Sequence, residues 1–287
     1  MSDAEINIVQ VIINCISTIL EKIFSSIDNN IYQTLDDITF INSDIMNNSK
    51  LETLLGSASS GIILIANSLV IGFLLYYAAS FLISHITLHQ TQKPSQFVFK
   101  LLILTIVMNN SYFICNEIIT FNYYISNSIR EVGENILNKN ICFSNLITEL
   151  NSIIYIEENS ISLFSIDGIL KSIISIGFLN LIFTYSLRYI MIQAFVLISP
   201  FAILSLSLSS TSNLFKSWLK SFLSLLFIQI LVSVILLLIF SIEFDSNNLF
   251  SKFLYIGAIY ALIRANIYVK EIVCGITTTL NLNKRIY

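Results

Sequence analysis

RYIMIQAFVLISPFAILSLSLSSTSNLFKSWLKSFLSLLFIQILVSVILLLIFSI, residues 188–242, is the stretch that decides the fold class of this chain. Residues 189–215 contain no Asp, Glu, Lys or Arg, and residues 221–242 contain none either. Each run is about as long as a helix needs to cross the hydrocarbon core of a bilayer, roughly 20 residues. Backbone in lipid has to satisfy its own hydrogen bonds, so runs of this kind are predicted to be helical. The stretch therefore predicts an all-α, membrane-embedded chain.

The composition of the whole chain agrees with this interpretation. Hydrophobic residues make up 55% of the 287 residues, charged residues make up 11%, and the mean hydropathy is +0.79. Soluble domains carry about 25% charged residues, so a soluble class is excluded. We expect a polytopic bundle in two parts: an outer amphipathic and acidic N-terminal region at 1–60 and a transmembrane helical domain at 61–287. The second part would include an outer helical loop at 120–168 and a cytoplasmic bridge at 209–220.

The N-terminal region begins with the pattern of an amphipathic helix over residues 2–27. Ser2 and Glu5 have the spacing of a capping box, in which each residue satisfies a free backbone N–H group of the first turn. Apolar residues then recur every three or four positions: Ile6, Val9, Ile13, Ile16, Leu20, Ile23 and Ile27. We expect this helix to lie on the membrane surface, with a membrane-spanning placement as the alternative.

Three further segments are candidate spans, at 62–83, 97–119 and 250–267. The second of them contains Asn109 and Asn110, whose amides are expected to face other helices. The block at 169–208 is ambiguous because a straight helix of that length would measure about 60 Å, twice the bilayer core. It is either two spans separated by Arg188 or one long helix with a kink at Pro200.

The distribution of Lys and Arg favours one crossing by that block. With one crossing, a side made of 84–100, 209–220 and 264–287 carries eight Lys and Arg in 53 residues. The opposite side carries five in 122 residues. Because Lys and Arg near span ends favour the cytoplasm, the pattern predicts about five spans, an outer N-terminus and a cytoplasmic C-terminus. The expected location is the cytoplasmic membrane, with the lipid bilayer as a direct partner.

Arg188 is the most informative charge in the chain. At membrane depth an arginine costs about 2.5–3.5 kcal/mol on insertion scales unless it is paired or hydrated. Two interpretations remain open at this point. Arg188 either makes a polar contact within a helix assembly or a channel wall, or it lies near an interface and extends its long side chain to water.

Two other clusters are candidates for contacts. Lys216, Trp218 and Lys220 stand at a span boundary, where an anchor at the cytoplasmic interface is favoured over a docking loop for a partner or anionic lipid. The other cluster is a helix-packing stripe of small residues at four-residue spacing: Gly257, Ala261 and Ala265.

No pattern indicates catalysis. Four cysteines are scattered without a Cys-x-x-Cys motif, and no nucleophile–base arrangement or phosphate loop is found in the sequence. His85 and His89 have a spacing that can hold a metal, but no carboxylate or Cys lies nearby to complete a site, and two histidines in the headgroup region are the preferred interpretation. We expect no enzyme activity, no cofactor and no metal. Cys115 and Cys142 could form a disulfide, but two buried thiols are the preferred interpretation.

This layout resembles the TrbL/VirB-type polytopic inner-membrane subunits of type IV secretion and conjugation machines. The similar motif lies within 185–230 and consists of Arg188, Ser199–Pro200 and the segment Phe215–Lys216–Ser217–Trp218.

The resemblance implies a non-enzymatic channel or scaffold subunit that forms a homo-oligomer. Its implied partners are other secretion-channel subunits, cytoplasmic ATPases and a translocated DNA–protein or protein substrate. The alternatives are a permease subunit of an ATP-driven exporter, for which 209–220 would be the coupling element, or an accessory membrane assembly or immunity protein.

Overall fold

A computed structural model describes residues 34–42, 49–56, 60–87, 93–153, 166–242 and 249–274. Within these ranges all regular secondary structure is helical and no strand occurs, which confirms the predicted fold class. The predicted amphipathic helix at 2–27 and the tail from residue 275 lie outside the described residues.

The helices of the described residues are numbered in chain order. They are α1 (34–39), α2 (Ser49–Leu55), α3 (Gly61–Thr87), α4 (Pro94–Asn109), α5 (Ser111–Leu137), α6 (Phe143–Ile153), α7 (Ile166–Leu204), α8 (Ser212–Ser241) and α9 (Leu249–Cys274). A short 3-10 turn, Ser205–Ser207, follows α7. Four of these helices (α3, α7, α8 and α9) are long and apolar enough to cross a membrane, and the number rises to five if α4 and α5 form one bent span. The chain thus has the helices of a multi-span membrane protein.

The ambiguous block forms one continuous helix. α7 runs through Arg188 and Pro200 without interruption, so a break at the arginine is wrong. Proline lacks the N–H group that would bond the carbonyl four residues earlier, here that of Val196. The hydroxyl of Ser199 donates to the Val196 carbonyl oxygen at 2.7 Å and replaces that bond. The Ser–Pro pair therefore keeps the Val196 carbonyl hydrogen-bonded where the proline alone would leave it without a donor.

The segment predicted as one span at 97–119 breaks at Asn110, and its two parts, α4 and α5, are bent by 60°, a geometry that fits either a broken span or a re-entrant loop. Asn110 leaves the helical conformation, with φ −99° and ψ 13°. The side chains of Asn109 and Asn110 donate to the carbonyls of Thr105 and Ile106 at 2.8 and 2.9 Å. The backbone N–H of Asn110 is shared between the carbonyl oxygens of Ile106 and Val107 at 3.3 and 3.2 Å, which is the tightened last turn with which helices often end.

The chain forms two compact units. Of the described residues, unit 1 comprises 34–40, 125–153, 166–188, 228–242 and 249–268, and unit 2 comprises the rest. The core of unit 2 contains buried residues of α3, α4 and the end of α7: Ala66, Phe97, Leu101, Leu104, Met108, Ile203 and Leu204. Tyr77 of α3 stacks on Phe97 of α4 with ring centroids 3.9 Å apart, and the amides of Asn67 and Asn109 exchange hydrogen bonds at 3.1 and 3.3 Å.

Unit 1 contains aromatic contacts between its short and long helices. The ring of Phe143, at the start of α6, lies 6.2 Å from that of Phe40 and 6.3 Å from that of Tyr185 on α7. In α5, Gly133 allows a close approach, because a Cβ atom there would collide with the side chains of Ile141 and Leu237. Unit 1 holds the residues from which the candidate site is built.

Candidate functional site

Arg188 lies in the interior of unit 1, where its side chain is only 2% exposed. Its Nη1 donates to the carbonyl oxygen of Thr39 at 2.9 Å, and its Nη2 donates to Oε1 of Gln229 at 3.2 Å. The arginine of α7 is thus hydrogen-bonded to both α1 and α8. Of the two interpretations left open by the sequence, this placement agrees with a polar contact in a helix assembly. A role in a channel wall stays a prediction.

The hydrogen bonds continue beyond the arginine. Nε2 of Gln229 donates to Oγ of Ser126 at 3.2 Å, and the hydroxyl of Ser233 lies 3.2 Å from that of Ser126. Ser233 also donates to the carbonyl of Gln229 at 3.1 Å, and all three residues are fully buried. We call Arg188, Gln229, Ser126 and Ser233 the arginine network. It joins α5, α7 and α8, and it reaches α1 through the Thr39 carbonyl.

The local sequence explains how the network forms. On α8, Gln229 and Ser233 are four residues apart and therefore lie on the same face of the helix. Burial of polar groups in an apolar interior is costly unless they are hydrogen-bonded. A guanidinium, an amide that both donates and accepts, and two hydroxyls can satisfy one another in this arrangement. Chemically the site offers hydrogen bonding and positive charge.

A second cluster of contacts lies beside the network and holds α1 in place. The two carboxylate oxygens of Asp36 accept the backbone N–H groups of Phe143 and Ser144 at 2.9 and 3.2 Å, which caps the N-terminus of α6. The guanidinium carbon of Arg130 lies 4.0 Å from the ring centroid of Phe40. Burial raises the pKa of the Asp36 carboxyl above its usual value, although the two backbone donors and Arg130 oppose that shift.

Sequence reasoning missed this cluster. Asp36 stands among acidic residues that suggest a solvated region, and its bonding partners are more than 100 residues away along the chain. One feature of the sequence could have predicted an acceptor here. The apolar residues of α6 recur at helical spacing, and the first N–H groups of a helix need acceptors.

Trp218 joins α8 to α7 within unit 2. Its indole N–H donates to the carbonyl oxygen of Phe195 at 3.0 Å, and its ring stacks on that of Phe222 at 5.4 Å. The neighbouring Lys216 and Lys220 are exposed. Because α8 begins at Ser212, most of the bridge predicted at 209–220 is helical and is not a loop. Docking of a partner or of anionic lipid at this segment stays a prediction. The role of the two lysines as an interface anchor stays a prediction.

The three residues of the small-residue stripe of α9 differ in how deeply they are buried. Ala265 is fully buried and Ala261 is partly buried, whereas Gly257 is exposed with open space around its Cα. The buried face of α9 in unit 1 instead includes Leu262, whose carbonyl accepts the hydroxyl of Tyr185 at 3.1 Å. None of the described residues packs against the position of a Cβ atom at Gly257, so that part of the prediction stays open to test.

The residues that the structure describes contain no group of three or more His, Cys, Asp and Glu residues placed to hold a metal ion. Cys115 and Cys142 are both free thiols, so the disulfide alternative is wrong. Burial raises the pKa of the Cys142 thiol, which disfavours the reactive thiolate.

Comparisons with models of known protein families, with curated proteins and with solved structures found no match to this chain.

Proposed function

We propose that this protein is a non-enzymatic channel or scaffold subunit of a type IV secretion machine in the cytoplasmic membrane, serving conjugative transfer of DNA or protein. The observation that carries the proposal is the motif within 185–230: Arg188, Ser199–Pro200 and the segment ending at Trp218. It occurs in an all-helical chain with four to five candidate spans, and the resemblance to the TrbL/VirB-type subunits rests on the same features.

The structural roles of the motif residues support a scaffold. Arg188 hydrogen-bonds α7 to two other helices, Ser199 satisfies the backbone freed by Pro200, and Trp218 joins α8 to α7. Each of these residues maintains helix geometry or helix packing. Such roles suit a subunit that shapes or lines a path while separate cytoplasmic ATPases supply the energy. A homo-oligomer with other secretion-channel subunits is part of the proposal.

The proposal is tested by an in-frame deletion in the bacterium that carries the gene, followed by complementation and by counting transfer of its mobile element to a recipient. Deletion should abolish transfer, and the wild-type gene should restore it. Arg188→Leu should restore it poorly, whereas Arg264→Leu, which changes an exposed arginine of α9, should restore it fully. Unchanged transfer after deletion would contradict the proposal.

Crosslinking in the complemented strain separates the proposal from its main competitor. A secretion subunit should capture a VirB-type ATPase or other secretion-channel subunits, whereas an exporter permease should capture a nucleotide-binding subunit. Recovery of a nucleotide-binding subunit, together with normal conjugation, would assign the chain to the exporter class.

The predicted orientation has its own test. The distribution of Lys and Arg places Trp218 and the C-terminal Tyr287 on the same, cytoplasmic face. Single cysteines introduced at these two positions should both resist a membrane-impermeant thiol reagent in intact cells and both react after the membrane is opened. Opposite behaviour of the two positions would contradict the predicted topology and weaken the secretion assignment with it.

A further inference from the structure

The first half of α5 contains buried polar atoms that no protein group satisfies. Oγ of Ser111, Oδ1 of Asn116 and Nδ2 of Asn122 are buried and have no hydrogen-bond partner among the described residues. Ser111 is fully buried, and Asn122 is 6% exposed. Ser111, Cys115, Ile119 and Asn122 follow one another at helical spacing on the buried face of α5 within unit 2, and we call them the α5 row.

The bend between α4 and α5 explains why the hydroxyl of Ser111 is unpaired. A serine hydroxyl inside a helix usually donates to the carbonyl three or four residues earlier, as those of Ser199 and Ser205 do at 2.7 and 2.6 Å. The carbonyl four residues before Ser111 is that of Val107, which lies across the 60° bend and accepts the backbone N–H of Asn110. The start of α5 therefore has a buried hydroxyl that this local bond does not satisfy.

Two physical arguments point to water at these atoms. A buried hydroxyl or amide without a hydrogen bond is costly, and proteins commonly satisfy such groups with internal water, whereas apolar cavities stay dry. Sharp helix bends also have few causes, and one of them is water that enters the backbone hydrogen-bond ladder. Residues 101–120, which contain the bend, include neither proline nor glycine, the commonest other causes.

We infer that the α5 row binds internal water at two sites, one held by the hydroxyl of Ser111 at the bend and one held by the amide of Asn122. The hydroxyl can donate and accept, and Nδ2 of Asn122 donates, so a water molecule suits both sites. A cation does not suit the second site, because an amide N–H group repels positive charge. This inference does not depend on the secretion assignment, since it concerns hydration of the purified protein.

The test is hydroxyl-radical footprinting of the full-length protein in nanodiscs of phosphatidylethanolamine and phosphatidylglycerol. A short X-ray pulse converts water to radicals where it is bound, so a buried sulfur beside an ordered water is oxidised, and mass spectrometry measures the rate. Cys115 reports on Ser111, because residues four apart on a helix are neighbours. Ile119→Met reports on Asn122, three residues away, and changes the side-chain volume little.

Each reporter has a reference of the same residue type in a purely apolar site. Ala66→Cys is the reference for the native cysteine, and Leu101→Met is the reference for the introduced methionine. Both reference positions lie in the hydrophobic core of unit 2 and are as deeply buried as the reporters, within a few per cent of exposure. A difference in rate between reporter and reference therefore measures bound water and not exposure to bulk water.

Both reporters should be oxidised at least about fivefold faster than their references, because internal water lies beside them. Ser111→Ala should return the rate at Cys115 to that of its reference, and Asn122→Leu should do the same for the methionine introduced by Ile119→Met. The control is Ser205→Ala, which removes a buried hydroxyl that is already bonded to a backbone carbonyl. It should leave both reporter rates unchanged.

Three results would overturn the inference. Reporters as slow as their references would mean that the α5 row is dry. Fast reporters that Ser111→Ala and Asn122→Leu leave unchanged would mean that these two side chains do not hold the water. References as fast as the reporters would mean that water enters the whole of this core and that the row contains no distinct sites.

Discussion

Replacing Arg188 by leucine sets two opposing effects against each other. The change leaves two buried acceptors, the Thr39 carbonyl and Oε1 of Gln229, without the arginine donor. Each orphaned acceptor costs about 2 kcal/mol, within a range of about 1–3 kcal/mol. Removal of a buried cation recovers about 3 kcal/mol on insertion scales. The net destabilisation of Arg188→Leu is therefore about 1 kcal/mol, the difference between about 4 lost and about 3 recovered.

The effect of Arg188→Leu on the free energy of unfolding changes sign when Gln229 is already leucine. Only the Thr39 carbonyl is then orphaned, so about 2 kcal/mol is lost against about 3 recovered, and Arg188→Leu becomes stabilising by about 1 kcal/mol. The coupling free energy between the two positions is thus about 2 kcal/mol, which exceeds the usual additivity error of about 0.5 kcal/mol. The coupling free energy is a better measure of the Arg188–Gln229 contact than either single variant. The free energy recovered by removing the buried cation is the same with and without Gln229, so it cancels in the cycle.

The assay is reversible unfolding in mixed micelles of increasing sodium dodecyl sulfate content, followed by far-ultraviolet circular dichroism. The wild type, both single variants and the double variant form the cycle. A control cycle pairs Gln229→Leu with Arg264→Leu, because Arg264 is exposed and its recorded contact is with the Tyr260 ring at 5.1 Å. The control should be additive. Additivity in the Arg188 cycle within about 0.5 kcal/mol would refute the network as an energetic unit.

Three further predictions follow from contacts outside the network. Asn67→Leu and Asn109→Leu should each destabilise by about 0.6–1.7 kcal/mol, and the double variant by less than their sum, in the same unfolding assay. Trp218→Phe keeps an aromatic ring but loses the N–H donated to Phe195, so it should cost about 1 kcal/mol, whereas no loss would contradict that bond. The raised pKa of Asp36 means that the folded state binds more protons than the unfolded state just above about pH 4. The Asp36 contribution to stability should therefore decrease as pH rises through that window, and Asp36→Asn should remove that part of the pH dependence.

The fold class could be predicted because membrane helices are specified by length and hydropathy. Uncharged runs of about 20 residues have few alternatives to a helix in lipid. The sequence could not decide how the helix behaves at individual polar residues. Arg188 resembles a boundary, yet α7 continues through it, since the guanidinium finds partners on other helices. Asn110 stands within an apolar run, yet the helix ends there.

The candidate site could be predicted in part for the same reason. An arginine within a membrane helix costs free energy unless it is paired or hydrated, so the sequence predicts that Arg188 needs polar partners or water. Its partners could not be named, because the Thr39 carbonyl is 149 positions away in the chain and Gln229 is 41 positions away. Ser126, which completes the network, lies 103 positions from Gln229. Apolar periodicity describes the faces of one helix and contains no information about which polar groups meet across helices.

Pro200 and Arg188 differ in whether the sequence alone can predict the hydrogen-bonding partner that each position requires. The proline leaves the Val196 carbonyl, four residues earlier, without its backbone donor, and the hydroxyl of the adjacent Ser199 can reach that carbonyl within the same turn. The local sequence therefore contains both the unpaired acceptor and the donor that pairs with it. The arginine bonds to the Thr39 carbonyl and to Gln229, which are 149 and 41 positions away, so these two contacts come from tertiary structure. A polar residue in an apolar run thus predicts that a hydrogen bond exists. Only when the partner is local does the sequence also predict which one, and this is why the Ser199–Val196 bond can be inferred from the sequence while the arginine network required the structure.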